Sequence, residues 1–462
     1  MQNKYDVIIV GSGPAGIFAA LELSHITDLS ILLLEKGKDL SLRKCPIIGK
    51  ELSCPPCSLC DLVSGWGGAG AFSDGKLTLS PQVGGQLESY LGHEKAADLI
   101  RYVDDIYLKF SASDKVYGTG PRVEQLAQKA ELAGLKLIPV PIRHMGTELC
   151  REVLKDMHLF LDNRIESRTD TAATSIMVEN GVVKGIQTND GQQIESRFAV
   201  IAPGREGADW LLKEAARLGI TLHYNPVDIG VRIEVPYKVL EELTSIFYEL
   251  KLAFISPTFR DRIRTFCMCP AGEVTMETTG GDEPVITVNG HSYAHRKTEN
   301  TNFALLVSAK FTPPFREPIA YGKYLARLAN IVSGGVIMQR WGDFREGHRS
   351  TPITIEDGLV EPTLKSATPG DLGYVLPYRF LLGISEMLTA MDKLAPGVAG
   401  PDTLLYGVEV KFYSSRLELT ENLETETTNM FAIGDGAGVS RGLIQAAASG
   451  VVAAREIAKR VS

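Results

Sequence analysis

The chain has 462 residues, 44% of them apolar and 23% charged, with a formal net charge of −8. That length exceeds one compact core and predicts two or three domains of an ordinary globular protein. The negative balance makes nucleic acid a poor partner, no apolar run reaches the roughly 18 residues of a membrane helix, and the start lacks the basic and long apolar stretches of a secretory signal, so a cytoplasmic protein is expected.

Tyr5-Asp-Val-Ile-Ile-Val reads as a buried strand, followed by Gly11-Ser-Gly13-Pro14-Ala15-Gly16, a helix through Leu23, and the strand Ser30–Leu34 ending in Glu35 and Lys36. A glycine triplet between strand and helix, with an acid at the end of the next strand, is the dinucleotide-binding pattern. Gly11 permits the tight turn, Gly13 lets the backbone approach a pyrophosphate, and Gly16 lets the helix lie close to the strand. The helix N-terminus offers amides and partial positive charge to that pyrophosphate, and Glu35 can accept hydrogen bonds from an adenosine ribose.

Four cysteines follow closely, at Cys45, Cys54, Cys57 and Cys60. Their spacing suits an iron-sulfur cluster, a thiolate zinc site or, for Cys54 and Cys57, a redox dithiol; free thiols or a structural clip are the alternatives. The loop from Ser64 to Lys76 contains Gly67 and Gly68, and its glycines suit close backbone approach to a planar ring or a phosphate. Helical periodicity then spans residues 94–110, 122–133 and 147–161, with strands at 175–178 and 182–187. Phe198-Ala-Val-Ile-Ala ends in the turn at Gly204 and Arg205.

From 226 to 412 the pattern becomes strand-rich with irregular loops, which predicts a second domain. Within it, His291, Tyr293 and His295 fall in one short polar stretch; a histidine can exchange a proton near neutral pH and a tyrosine can donate to an oxyanion. Arg340 to Asp343 and the run from Lys411 to Arg416 are further polar groups suited to a carboxylate. Residues 413–462 end in a strand at 429–433, a glycine turn at Gly434 and Asp435, and a helix from Gly442 to Arg460. They are expected to return to the first domain, 1–225. Arg441, Gly442, Leu443 and Gln445 start that helix and are candidates to line the cofactor site.

Phe431-Ala-Ile-Gly434-Asp435-Gly-Ala-Gly438 resembles the second flavin motif of the glutathione-reductase-like flavoproteins, and the turn at Gly204 resembles a crossing strand of the same proteins. More narrowly, Ser64-Gly-Trp-Gly-Gly-Ala-Gly, Val288-Asn-Gly-His-Ser-Tyr, Asn302-Phe-Ala-Leu-Leu-Val and Gly434-Asp-Gly-Ala-Gly look like the prokaryotic proteins labelled FAD-dependent dehydrogenases. The resemblance implies an α/β fold in which a Rossmann-like FAD-binding domain of the glutathione-reductase type is interrupted by a strand-rich α+β substrate domain. It implies FAD as cofactor, Asp435 on the ribityl chain, the last helix aimed at the flavin pyrimidine edge, and the Gly65–Lys76 loop beside the isoalloxazine. The expected activity is hydride transfer between flavin N5 and a small organic substrate held between the domains. An oxygen-using monooxygenase is one alternative, and a flavoprotein acting on RNA or as a binding partner is another. No second glycine fingerprint is present, so NAD(P)H could serve only as a transient donor. The oligomeric state is not set by the sequence.

Overall fold

A computed structural model describes residues 3–45, 57, 59–73, 75–223, 227–247, 249–279, 284–292, 297–309, 311, 317–411 and 416–461. The chain divides into two compact units. Met1–Val116, Pro141–His223 and Ser414–Ser462 form the first, and Tyr117–Val140 with Tyr224–Tyr413 form the second.

The first unit is built on a mixed sheet. Strands β1 (Lys4–Val10), β2 (Ile31–Leu34), β3 (Glu166–Arg168), β4 (Ala173–Glu179), β5 (Val182–Thr188) and β6 (Gln193–Ile201) lie in the order β3-β2-β1-β6-β5-β4. The first four in that order are mutually parallel, with Val7 opposite both Ile31 and Phe198. Strand β6 changes neighbour along its length: Gln193–Glu195 pair antiparallel with β5, and Ala199–Ile201 pair parallel with the short strand Met430–Ala432. Val7, Ile8 and Ile9 are fully buried, as a parallel sheet covered on both faces requires.

Helix α1 (Pro14–Ile26) is buried from Ala15 through Leu23, apolar on nearly all sides rather than along one stripe. Its neighbour is helix α2 (Leu443–Val461). A Cβ at Gly450 would lie 2.1 Å from the Ala15 carbonyl oxygen and 2.8 Å from the Ala19 nitrogen, so α2 rests directly on the α1 backbone. Ser414–Ser462 thus packs within the first unit, and the fold is α/β with a parallel core.

The second unit is organised by a largely antiparallel sheet. Its strands are β7 (Val227–Pro236), β8 (Leu252–Ile255), β9 (Arg262–Cys269), the hairpin β10 (Glu273–Thr279) and β11 (Val285–His291), β12 (Asn300–Ala309), β13 (Ile337–Arg340), β14 (Thr368–Pro369) and β15 (Leu404–Lys411). The sheet order is β14-β13-β15-β7-β12-β9-β8, closed at the β8 edge by the two-residue strand Lys136–Leu137. Residues 117–140 therefore belong here, although the sequence pattern groups them with the first domain: Leu137 pairs with Leu252, and Val123, Leu126 and Ala130 enter the same core.

One face of β7, from Val227 through Ile229, Val231 and Ile233 to Val235, joins that apolar core. The other face carries Asp228, Arg232 and Glu234, and all three are buried as well. Each is matched by neighbours on the sheet. Arg264 and Ser308 bond Asp228. Glu409 and Asn302 bond Arg232, while Tyr406, Asn300 and Thr363 bond Glu234.

Candidate functional site

In the first unit, the C-terminal ends of β1, β2, β6 and Met430–Ala432 carry four turns that the sequence singles out, at 11–16, 35–37, 202–205 and 433–438. Ligands of open α/β sheets bind at such strand ends. The turns touch one another through backbone. Gly11 has φ +101° and a Cβ there would lie 2.1 Å from the Ala202 carbonyl oxygen; a Cβ at Gly436 would lie 2.4 Å from the Gly204 carbonyl oxygen. Gly11→Ala is excluded on both grounds.

Gly13 is different, because among the described residues nothing lies within 4 Å of where its Cβ would be. It is the N-cap of α1, no side chain caps that helix, and its first turn holds no acid. First-turn amides left to open space beside a partial positive charge make an anion site, and the space a Cβ would fill is that of an approaching phosphate. The residues present therefore fit the pyrophosphate of a dinucleotide, with Pro14, Ala15 and Gly16 supplying the turn behind it.

The loop beginning at Gly65 closes on this cradle. The Gly67 amide donates to the Ser12 carbonyl at 2.9 Å, and a Cβ at Gly68 would lie 3.1 Å from the Gly13 Cα. Further along, Gly70 approaches Leu443 at the start of α2. The loop thus runs from the α1 N-terminus toward that of α2. Glu35 is 7% exposed and accepts four hydrogen bonds from the chain itself: from Ser12 N (2.9 Å), Ser12 Oγ (2.8 Å), Gly37 N (2.9 Å) and Gly65 N (3.0 Å). The sequence pattern offers this carboxylate to an adenosine ribose; the structure gives it protein partners at every acceptor position. Lys36 lies 3.9 Å from Glu206.

Asp435 is held on both sides. Ser440 Oγ donates to its Oδ1 at 2.6 Å, and Arg205 Nε to its Oδ2 at 3.0 Å. Arg205 also donates to the Arg441 carbonyl at 3.3 Å, and the Arg441 amide donates to the Gly84 carbonyl at 2.8 Å. Arg205, Asp435, Ser440 and Arg441 are therefore one connected group, with Gly204 and Gly442 adjacent to it in the chain. Gln445 departs from the expectation that it lines the site. It is fully buried, donating to the carbonyls of Pro81 and Val83 at 3.0 Å and accepting from Leu87 N at 3.3 Å, so it anchors the 80–87 loop.

Arg43 is a member of this site that no motif signals. It is 1% exposed, with Nε on the Asp61 carbonyl at 2.9 Å and Nη1 on the Trp66 carbonyl at 2.6 Å. Burial pulls its guanidinium down to about 10, against the opposing charges of Glu35 and Asp61. Its only advance signal is a cation close before a glycine loop.

His291 belongs to the second unit, exposed at the end of β11 opposite Glu273. Tyr293, His295 and Cys54 lie outside the described residues. Cys45, Cys57 and Cys60 are free thiols. Among the described residues no group of three or more His, Cys, Asp or Glu is placed to hold a metal ion, and no helix is long and apolar enough to cross a membrane. The polar groups set aside for a carboxylate are engaged within the protein: Arg340 with Asp402 at 2.8 Å, Lys411 with Glu409 at 3.3 Å.

Residues 226–412 match the family model described as FAD-dependent protein, C-terminal domain-like, the same span that the sequence pattern separates as a second domain. A Clostridium beijerinckii protein described as uncharacterized is 27% identical over 482 residues, covering 98% of this chain and 80% of that one. Among solved structures, 3-ketosteroid-delta4-(5alpha)-dehydrogenase from Rhodococcus jostii aligns with 13% identity over 98% of this chain and 97% of that one, at a TM-score of 0.44. Glycine oxidase from Geobacillus kaustophilus aligns with 12% identity over 99% and 95%, at 0.39. At such scores neither activity transfers to this chain. The family match to the middle segment supports an FAD-dependent enzyme.

Proposed function

We propose that the chain is an FAD-dependent oxidoreductase that exchanges a hydride between flavin N5 and a small organic substrate. The observation that carries this reading is the uncapped α1 N-terminus at Gly13, open where a phosphate would approach and ringed by the turns at Gly204, Gly434 and Gly67. Bound FAD supplies a two-electron carrier; the chain supplies its placement. Gly11, Gly13, Pro14, Ala15 and Gly16 hold the pyrophosphate, with Gly67 and Gly68 closing over it and Lys36 at the rim. Asp435 and Gly204 hold the ribityl chain, and Gly442 and Leu443 bring the α2 N-terminus to the flavin edge, where its partial positive charge favours an anion. Arg441 adds fixed charge there, and His291 and Tyr293 are the proton-moving candidates. Cys45, Cys54, Cys57 and Cys60 enter as candidate redox thiols. What places them near the cradle is position alone: the Cys60 carbonyl accepts from Ser64 N at 2.9 Å, immediately before the loop at Gly65.

The test is Gly13→Val. The site is open and the backbone there is extended, so the apoprotein should melt with the wild type, while the side chain fills the phosphate's space and FAD affinity falls about a hundredfold, roughly 2.7 kcal/mol. Flavin absorbance per chain after desalting reads the outcome. Wild-type loading of this variant would overturn the assignment.

A further inference from the structure

We infer that Glu35 is a positioning residue that locks the phosphate turn to the Gly65 loop, and not the group that binds the adenosine ribose. The inference rests on the FAD reading above and gives one of its residues a different task. An ionised carboxylate has about four lone-pair sites. Here Oε1 takes the amides of Gly37 and Gly65, and Oε2 takes the amide and hydroxyl of Ser12. Those donors come from three segments: the turn after β1, the turn after β2, and the start of the glycine loop. At 7% exposure the carboxylate offers a ribose little surface.

What the four bonds fix is the orientation of Ser12, whose carbonyl receives Gly67 N at 2.9 Å. Glu35, Ser12, Gly65 and Gly67 thereby form a ring next to Gly13, made of hydrogen bonds from Ser12 and Gly65 to Glu35 and from Gly67 to Ser12, and closed by the backbone from Gly65 to Gly67. Arg43 lies beside this ring, with Nη1 on the Trp66 carbonyl at 2.6 Å and Nε on the Asp61 carbonyl at 2.9 Å. The ring holds the cradle's shape, so its loss should weaken any ligand that uses the pyrophosphate, whether or not that ligand carries ribose hydroxyls.

Glu35→Gln separates the two roles. A glutamine amide would suit a ribose hydroxyl, which both donates and accepts. In the ring it fails, because its NH2 must face two donors. Turned toward Ser12 it can recruit the hydroxyl as an acceptor, yet the Ser12 amide still loses its partner. The experiment titrates apoprotein with FAD and with its 2′,3′-dideoxyadenosine analogue, following flavin fluorescence, for wild type, Glu35→Gln, Ser12→Ala and the double variant. Glu35→Gln should weaken both ligands at least tenfold and to the same extent. Ser12→Ala, which removes one of the four donors, should weaken both two- to fivefold, with little added loss in the double variant, since the two residues act as one unit.

A Glu35→Gln penalty that vanishes with the dideoxy analogue would assign the ribose to Glu35 and overturn the inference. So would a lower melting temperature with unchanged affinity in the folded fraction, which marks a merely structural residue. Should Glu35→Gln fail to fold, Ser12→Ala decides alone: an equal loss with both ligands supports the ring, and no loss, or a loss confined to FAD, refutes it. Failure of the wild type to bind FAD would refute the parent reading instead.

Discussion

The proposed phosphate site of the first unit and the polar face of β7 in the second are built differently. At the first, backbone carries most of the structure: turns meet at glycines, α2 rests on α1 at Gly450, and first-turn amides line the proposed site, with the Glu35 side chain tying the turns together. At the second, side chains carry it. Arg232 and Glu409, both fully buried, form a two-pronged ion pair at 2.8 and 2.9 Å, with Asn302 Oδ1 accepting from Arg232 at 2.7 Å and Gly290 of the β11 hairpin laid over the guanidinium. Burial pushes the Glu409 carboxyl up, and Arg232 with Lys411 more than reverse that, holding it below the usual glutamate range. A backbone site needs particular residues only where a side chain would intrude. A side-chain site needs every partner at once.

That difference can be broken at its strongest point. Arg232→Met leaves the buried Glu409 with only Lys411, at 3.3 Å, of its two cationic partners and should destabilise the chain by about 3 kcal/mol, while Arg232→Met with Glu409→Leu should regain most of it. Denaturant unfolding reads both, and a single variant within 1 kcal/mol of wild type would show that the polar face does not depend on its central pair. Next is Gly450→Ala, whose methyl must push against the Ala15 carbonyl at 2.1 Å. It should destabilise by about 1–3 kcal/mol and lower FAD content in parallel, because the displaced helix carries the phosphate site at its N-terminus. Full flavin loading in that variant would separate the helix contact from the site.

The smallest effect sharpens the comparison. Glu234 is held above the usual carboxyl range by burial, against hydrogen bonds from Thr363, Tyr406 and Asn300. A raised folded-state value means the native state keeps its proton longer. Its contribution is full below the ordinary glutamate value of about 4.3 and is lost as pH rises through the folded value. Glu234→Gln should therefore fall within about 1.5 kcal/mol of wild type near pH 7 and remove that part of the pH dependence. Identical stability-pH curves for the two proteins would assign no role to its titration.

The contrast also explains what could be read in advance. Strands and helices of the first unit were legible because apolar runs and glycine turns are local signals: helix 147–161 is observed as Thr147–Asp162, and the last helix as Leu443–Val461. The glycine turns at 11–16, 67–68 and 434–438 were legible for the same reason. Arg43, the Glu35 ring and the task of Gln445 were not, since each depends on which distant carbonyl or amide arrives beside the side chain. In the second unit, alternation of Asp228, Arg232 and Glu234 with Ile and Val is the pattern of a strand with one wet face. Periodicity reports that a face is polar, and cannot say that a hairpin and neighbouring strands will cover it. Residues 117–140 were misassigned for a related reason: an amphipathic helix shows that it packs, and not against which sheet.

The contact of Ala15 with Gly450 sets an order of events during synthesis. At roughly 5–20 residues per second, α2 leaves the ribosome on the order of 20–90 s after α1. Through that interval β1, β2 and α1 have no α2 to cover them, and the phosphate turn has no partner at Gly434. The second unit's sheet is complete once Lys411 has emerged, so its core can close while the first unit is still waiting. Closing the longer loop adds little entropy, about 0.6 kcal/mol for each doubling of length, so the delay is kinetic rather than thermodynamic. The β1–α1 segment is among the last to be secured, and a ligand held as proposed at both the Gly13 and Gly434 turns can stabilise the chain only after those turns have met.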